Sequence, residues 1–232
     1  MTRAMLQLYI GNKNYSSWSM RAGVLLKQAG IPFEERLIKF DAFCDPESEF
    51  GKAIRKVNPA GRVPTLVDDG FAVWESLAIA EYVAEKYPAK QLWPQDAKKR
   101  ARARSVCAEM HAGFSALRSH CPMNIEASLP EVGAIVWRDK PGLREDVQRV
   151  VQMWTELLEQ NKGPMLFGEF TAADAFYAPV CMRLKNYSLP VPGHITDYIR
   201  RVCALPGVKS WIDGALEEKT FVVEDEPYRA SR

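Results

Sequence analysis

Residues 6–38 read as a strand, a helix and a second strand, and that order leaves few folds open. Leu6-Gln7-Leu8-Tyr9-Ile10 alternates and carries β-formers, the mark of a strand. A loop, Gly11 to Tyr15, leads to Ser16-Ser17, and the run Trp18 to Gln28 follows with helical character. Serine before such a run is an N-cap signal, and Gly30 with Pro32 is a stop signal. Phe33 to Ile38 then reads as the second strand. A βαβ unit of this kind implies a parallel pair with a right-handed crossover.

Residues 41–62 are less regular. Thr65-Leu66-Val67-Asp68 and Phe71-Ala72-Val73-Trp74, joined by Asp69-Gly70, predict a hairpin, because glycine tolerates the positive φ of a tight primed turn. Glu75-Ser76 opens a helix with Ile79, Ala80, Val83 and Tyr87 on one face, and Pro88 ends it. Beyond Pro88 the chain is helical. Val147, Val150, Val151, Trp154, Leu157 and Leu158 keep an amphipathic period, closed by Asn161-Lys162-Gly163-Pro164. Thr171 and Asp174 have the spacing of a capping box. The run Ala175 to Leu184 is apolar on nearly all sides, so its helix belongs in a core; Pro179 predicts a kink or a short helix there. The expected organisation is a unit at 1–88, a linker at 89–97 and an all-helical unit at 98–232.

Composition narrows the function. The chain has 232 residues, 31 basic and 29 acidic, for a formal charge of +2. That balance argues against a nucleic-acid partner, which asks for a clustered basic excess. The basic run Lys98 to Arg104 reads as the wet face of a helix. No run approaches the roughly 20 apolar residues that span a bilayer, and the opening residues show no secretion signal, so a soluble, intracellular protein is expected. The five cysteines are widely spaced and odd in number, and the three histidines have no companions at ligand spacing. Neither a disulfide framework nor a metal site is expected.

Three places carry chemistry if the fold brings them together. At the helix start, Ser16-Ser17 offers unpaired N–H groups and a positive dipole end, which stabilise an anion. At Arg62-Val63-Pro64 a cis bond would turn the Val63 backbone outward to pair with an extended peptide. At Glu75-Ser76 a hydroxyl and N–H groups stand ready for a carboxylate, with Glu75 for an ammonium. Each also has a plain structural use: an N-cap, a strand-entry bend, and a cap with a first-turn acid.

The segments Ser16-Ser17-Trp18-Ser19-Met20-Arg21, Asn58-Pro59-Ala60-Gly61-Arg62-Val63-Pro64-Thr65-Leu66, Glu75-Ser76-Leu77-Ala78-Ile79 and Phe170-Thr171-Ala172-Ala173-Asp174 resemble those of the cytosolic glutathione S-transferases. The resemblance spans nearly the whole chain. Its early serines are similar to those of the zeta-like, serine-type members, which include maleylacetoacetate isomerases. It implies an α/β thioredoxin-like domain that binds glutathione as co-substrate, followed by an all-α domain, in a cytoplasmic homodimer without metal. Val63 would pair through its backbone with the cysteinyl unit beside a cis Pro64, and Glu75 and Ser76 would hold the γ-glutamyl end. Ser16 matches the zeta-type serine when Arg21 is aligned, with Ser17 as its rival, and one of them would donate to the sulfur. Lys52 or Arg62 would meet the glycyl carboxylate. A small hydrophobic electrophile would lie near Trp18, Met110, His111 and Phe114. Trp18 stands where the zeta members carry a cysteine, which sets zeta-type isomerase chemistry in question. The expected activity is thiolate transfer to that electrophile. The alternatives are a glutathione-dependent isomerase, peroxidase or dehalogenase, and a non-catalytic binding or stress-regulatory protein.

Overall fold

A computed structural model describes residues 5–41 and 45–232. Cys44 lies outside the described residues; Cys107, Cys121, Cys181 and Cys203 are free thiols. Strand β1 (Leu6–Ile10) pairs in parallel with β2 (Phe33–Leu37), and helix α1 (Ser17–Gln28) makes the crossover. Strands β3 (Thr65–Asp68) and β4 (Phe71–Trp74) form the expected hairpin, with Asp69 and Gly70 both at positive φ. β3 runs antiparallel to β1, so the sheet is mixed, in the order β2-β1-β3-β4. Helix α3 (Ser76–Lys86) follows. This is the thioredoxin-like arrangement that the sequence predicts.

The irregular stretch contains a short helix that sequence reading left out, α2 (Glu49–Arg55). Ser48 caps it by accepting from the Gly51 N–H at 2.9 Å. The helix has only Phe50, Gly51 and Ile54 buried. Seven residues are too few for an amphipathic period to stand out.

The helical part comprises α4 (Ala97–Ala112), α5 (Ser115–His120), α6 (Pro130–Asp139), α7 (Pro141–Asn161), α8 (Ala172–Asn186), α9 (Gly193–Ala204) and α10 (Pro206–Glu218). Helix α8 is the axis of its core, buried from Ala172 to Leu184. The short helix that Pro179 allowed does not occur: α8 runs its 15 residues through it. A proline costs a helix interior about 3 kcal/mol, and the apolar packing around α8 outweighs that. The capping box is formed, and Asp174, fully buried, also accepts from the Leu166 N–H and the Tyr198 hydroxyl. In the basic run, Lys98, Lys99, Arg102 and Arg104 are exposed, as a wet helix face requires.

Helix α1 ties the two parts together. It packs on α8 and α10 as well as beneath the sheet, where Met20, Val24, Leu25 and Leu26 are buried. Gly23 permits the approach of α10: a Cβ there would stand 2.4 Å from the Trp211 ring. The N-terminus of α1 is thereby held in front of the helical part.

Candidate functional site

A cavity of about 980 Å³ opens at the N-terminus of α1. Ser16, Ser17, Val63, Pro64, Glu75 and Ser76 all line it, so the three separate sequence places do converge. The Val63–Pro64 bond is cis. Ser16 is the N-cap of α1: its Oγ accepts from the Ser19 N–H and donates to Ser19 Oγ at 2.7 Å. Ser17 Oγ instead accepts from Arg183 Nη2 at 3.2 Å.

Glu75 precedes α3 with φ 66° and ψ 123°. A non-glycine residue held there costs of order 1–3 kcal/mol and tends to mark a functional position. Its carboxylate lines the cavity and lies 3.6 Å from His111 Nε2. Ser76 is 1% exposed, and among the described residues its Oγ has no hydrogen-bond partner. A buried hydroxyl without a partner costs roughly 1–3 kcal/mol, which a ligand's acceptor would recover.

The far wall is cationic. Trp18 is half-buried, with the Arg21 guanidinium 4.1 Å from its ring centroid, Arg118 at 4.8 Å and His111 edge-on at 5.0 Å. Arg118 and Arg183 line the cavity. Arg21 lies between the rings of Trp18 and Phe176, 99% buried, with Nε and Nη1 unpartnered among the described residues. Burial first, then Arg183 and Arg118, lowers Arg21 to about 9. Burial first, then Arg118, lowers Arg183 to about 10. Among the described residues none of the three has a carboxylate partner. Crowded, uncompensated cations favour an anion beside them. His111 is lowered by burial, then by Arg21, against the pull of Glu75.

The C-terminal segment supplies the last wall. Asp225 lines the cavity, and its carboxyl is raised to about 6 by burial, then by Glu224 and Glu226. Glu226 accepts from the Tyr15 hydroxyl at 2.7 Å and from Asn124 Nδ2 at 2.9 Å, and pairs with Arg229. That clasp fixes Tyr15, the residue before Ser16.

Two expected pocket residues lie elsewhere. Met110 is fully buried and Phe114 is 6% exposed, both packed in the helical core. Lys52 is exposed on α2, 4.0 Å from Glu47, and is not part of the cavity lining, whereas Arg62 and Arg55 are. No group of histidine, cysteine and acidic residues among those described could hold a metal ion.

Residues 15–86 match the family model of the glutathione S-transferase N-terminal domain. A probable maleylacetoacetate isomerase of Caenorhabditis elegans is 35% identical over 194 residues, covering 82% of this chain and 83% of that protein. The chain belongs to the glutathione S-transferase family. A mouse maleylacetoacetate isomerase is 33% identical to this transferase over 190 residues, covering 82% of each. Among solved structures, a Burkholderia glutathione transferase homologue with bound glutathione is 25% identical and superposes with a TM-score of 0.67, covering 92% of this transferase and 99% of that chain.

Sequence reading missed Arg118, Arg183, Arg55 and Asp225 in this transferase's cavity. One signal was present for Arg183, the single charge in the otherwise apolar run Ala175 to Leu184. The others belong to short or irregular segments and carry no periodic signal.

Proposed function

We propose that the protein binds glutathione in this cavity and holds its sulfur as a thiolate at the start of α1, for attack on a small hydrophobic electrophile. The observation that carries the reading is that Ser16-Ser17, Val63 beside the cis Pro64, and Glu75-Ser76 line one cavity. Each suits one part of the tripeptide. Ser76 and the α3 N-terminus take the γ-glutamyl carboxylate, and Glu75 takes its ammonium. The Val63 backbone takes the cysteinyl unit, and Arg62, with Arg55 nearby, takes the glycyl carboxylate. Residues 1–88 hold the tripeptide; residues 98–232, reached through 89–97, wall the second substrate.

The magnitudes suffice. A free thiol has a pKa near about 8.5, so only a few per cent is thiolate at pH 7. Lowering it by two units needs about 2.7 kcal/mol. One hydroxyl bonded to a charged acceptor gives roughly 1.5–3 kcal/mol, and a helix N-terminus adds roughly 0.3–2 kcal/mol. The serine donates a hydrogen bond and forms no covalent bond.

A second reading is a glutathione-dependent isomerase of a carboxylate-bearing substrate. Arg118 and Arg183 in the cavity wall favour it, as do the relatives named maleylacetoacetate isomerase. We further propose a cytoplasmic homodimer, supported by the exposed Phe71 and Trp74 on edge strand β4.

The test is a calorimetric titration of the folded protein with glutathione, followed by turnover with neutral electrophiles, carboxylate-bearing electrophiles and hydroperoxides. Saturable one-site binding and turnover are expected. Intact folding without binding overturns the reading.

A further inference from the structure

We propose that Ser17, rather than Ser16, donates to the glutathione sulfur, and that Arg183 acts through Ser17 as a positioning residue. This rests on the glutathione reading above and assigns the roles inside it.

The two hydroxyls are in opposite states. Ser16 Oγ receives the Ser19 N–H and donates to Ser19 Oγ, which in turn receives the Gly11 N–H at 3.2 Å. The Ser16 hydroxyl is thus engaged within the first turn of α1. Ser17 Oγ accepts from Arg183 Nη2 at 3.2 Å. A hydroxyl has one donor and two acceptor positions. With a lone pair on the guanidinium, the Ser17 proton points away from Arg183, and Ser17 lines the cavity. A bond from a charged donor is stronger than a neutral one, and in a low-dielectric site it polarises the next bond in the chain. Arg183 therefore makes Ser17 a better donor to an anion.

The guanidinium is built to hold this position. Its Nε donates to the Cys121 carbonyl at 2.9 Å and its Nη1 to the Pro179 carbonyl at 3.5 Å. The other charged and titratable groups that line the cavity are Tyr15, Arg55, Arg62, Glu75, His111, Arg118 and Asp225, and Arg21 is close to Arg183. Cys121 and Tyr187 are also close to Arg183, and burial pushes both up so that they stay neutral. In the step itself the thiol S–H gives its proton to solvent, the electron pair stays on sulfur, and the Ser17 O–H hydrogen-bonds to it. Neither Ser17 nor Arg183 exchanges a proton.

The experiment titrates the ultraviolet absorbance of bound glutathione thiolate in the full chain, as wild type, S16A, S17A, S17T, R183K, R183Q and S17A/R183K. Glutathione affinity is measured in parallel at low pH, where the bound thiol is protonated. S17A and R183Q should each raise the bound thiol pKa by about one unit, a tenfold loss of thiolate below it. S17T should restore the wild-type value, R183K should fall between, and the double variant should shift no further than S17A. S16A, which removes the cap of α1, should raise the bound thiol pKa by less than S17A does. A shift in S16A as large as that in S17A, or larger, overturns the serine assignment. Additive shifts in the double variant, or none in a folded R183K or R183Q that still binds, overturn the role of Arg183. If both arginine variants fail to fold, an unchanged thiol in S17A overturns the proposal and a one-unit rise upholds its serine half. Absence of glutathione binding in the wild type counts against the glutathione reading instead.

Discussion

The guanidinium of Arg21 lies 4.1 Å from the centroid of the Trp18 ring. Arg118 approaches the same ring at 4.8 Å. One indole therefore carries two cations at the wall of the cavity, and among the described residues Arg21 has no carboxylate partner. Trp18→Leu should lower stability by about 2–4 kcal/mol, from lost ring volume and lost cation–π attraction. Urea denaturation measures this, and a loss below about 1 kcal/mol would contradict the account.

Arg118 should discriminate between electrophiles. Burial lowers the pKa of its guanidinium, which lines the cavity and, among the described residues, makes only weak bonds, to the His111 and Gly113 carbonyls at 3.5 and 3.4 Å. Arg118→Ala should raise KM for a carboxylate-bearing electrophile by about tenfold or more, the loss of one charged hydrogen bond. KM for a neutral aryl halide should stay within a factor of about two. Equal changes for both classes would show that Arg118 does not read charge.

Glu75→Gln keeps the size and removes the charge. Glutathione affinity should fall by about tenfold to a hundredfold, as expected for a charge-assisted bond to an ammonium. A glutathione analogue lacking the α-amino group should bind wild type and variant alike. Calorimetry with both ligands checks it; a variant that discriminates against the analogue would place the ammonium elsewhere.

Asp225 should make stability depend on pH. Its folded-state pKa is raised to about 6 from 3.8, mainly by burial. Below the lower value both folded and unfolded chains hold the proton, and there is no penalty. As pH rises through this window the unfolded chain ionises first, so the native state loses stability, with the full penalty above about pH 6. Asp225→Asn should therefore be more stable than wild type by about 1–3 kcal/mol at pH 8 and equal to it at pH 3.5. Denaturation at the two pH values measures the difference, and a gain at low pH only would reverse the assignment.

Asp174 serves the core of the helical part. It is fully buried and accepts from Leu166, Thr171 and Tyr198. Asp174→Ala strands those donors and should cost about 3 kcal/mol or more, beyond the loss of a simple cap. A cost under about 1 kcal/mol in urea denaturation would show that the donors find other partners.

The elements that could be read from sequence are those with a local signature. β1 alternates, Asp69-Gly70 marks a turn that needs positive φ, and Thr171 with Asp174 announces a helix start. Ser16-Ser17, Val63-Pro64 and Glu75-Ser76 could each be singled out by residue preference, but each alone has a plain structural use; their order along the chain and the family resemblance are what joined them into one site. What was hidden depends on distant contact. Met110 and His111 are neighbours in sequence, yet α4 turns one into the core and the other to the cavity. Arg183 meets Ser17 only because α8 packs across α1. Pro179 does not shorten α8, because local propensity takes no account of the packing that surrounds it.

Glu226 grips Tyr15, and Tyr15 immediately precedes the two serines. Two stretches some two hundred residues apart are thus laced together at the mouth of the cavity. A fusion partner or an immobilising peptide grafted near residues 219–229 would tug on that lacing and slacken the helix end where the sulfur is to be held. Handles for purification or surface attachment belong on the wet face of α4, around the exposed Lys98 and Lys99, which take no part in this seam.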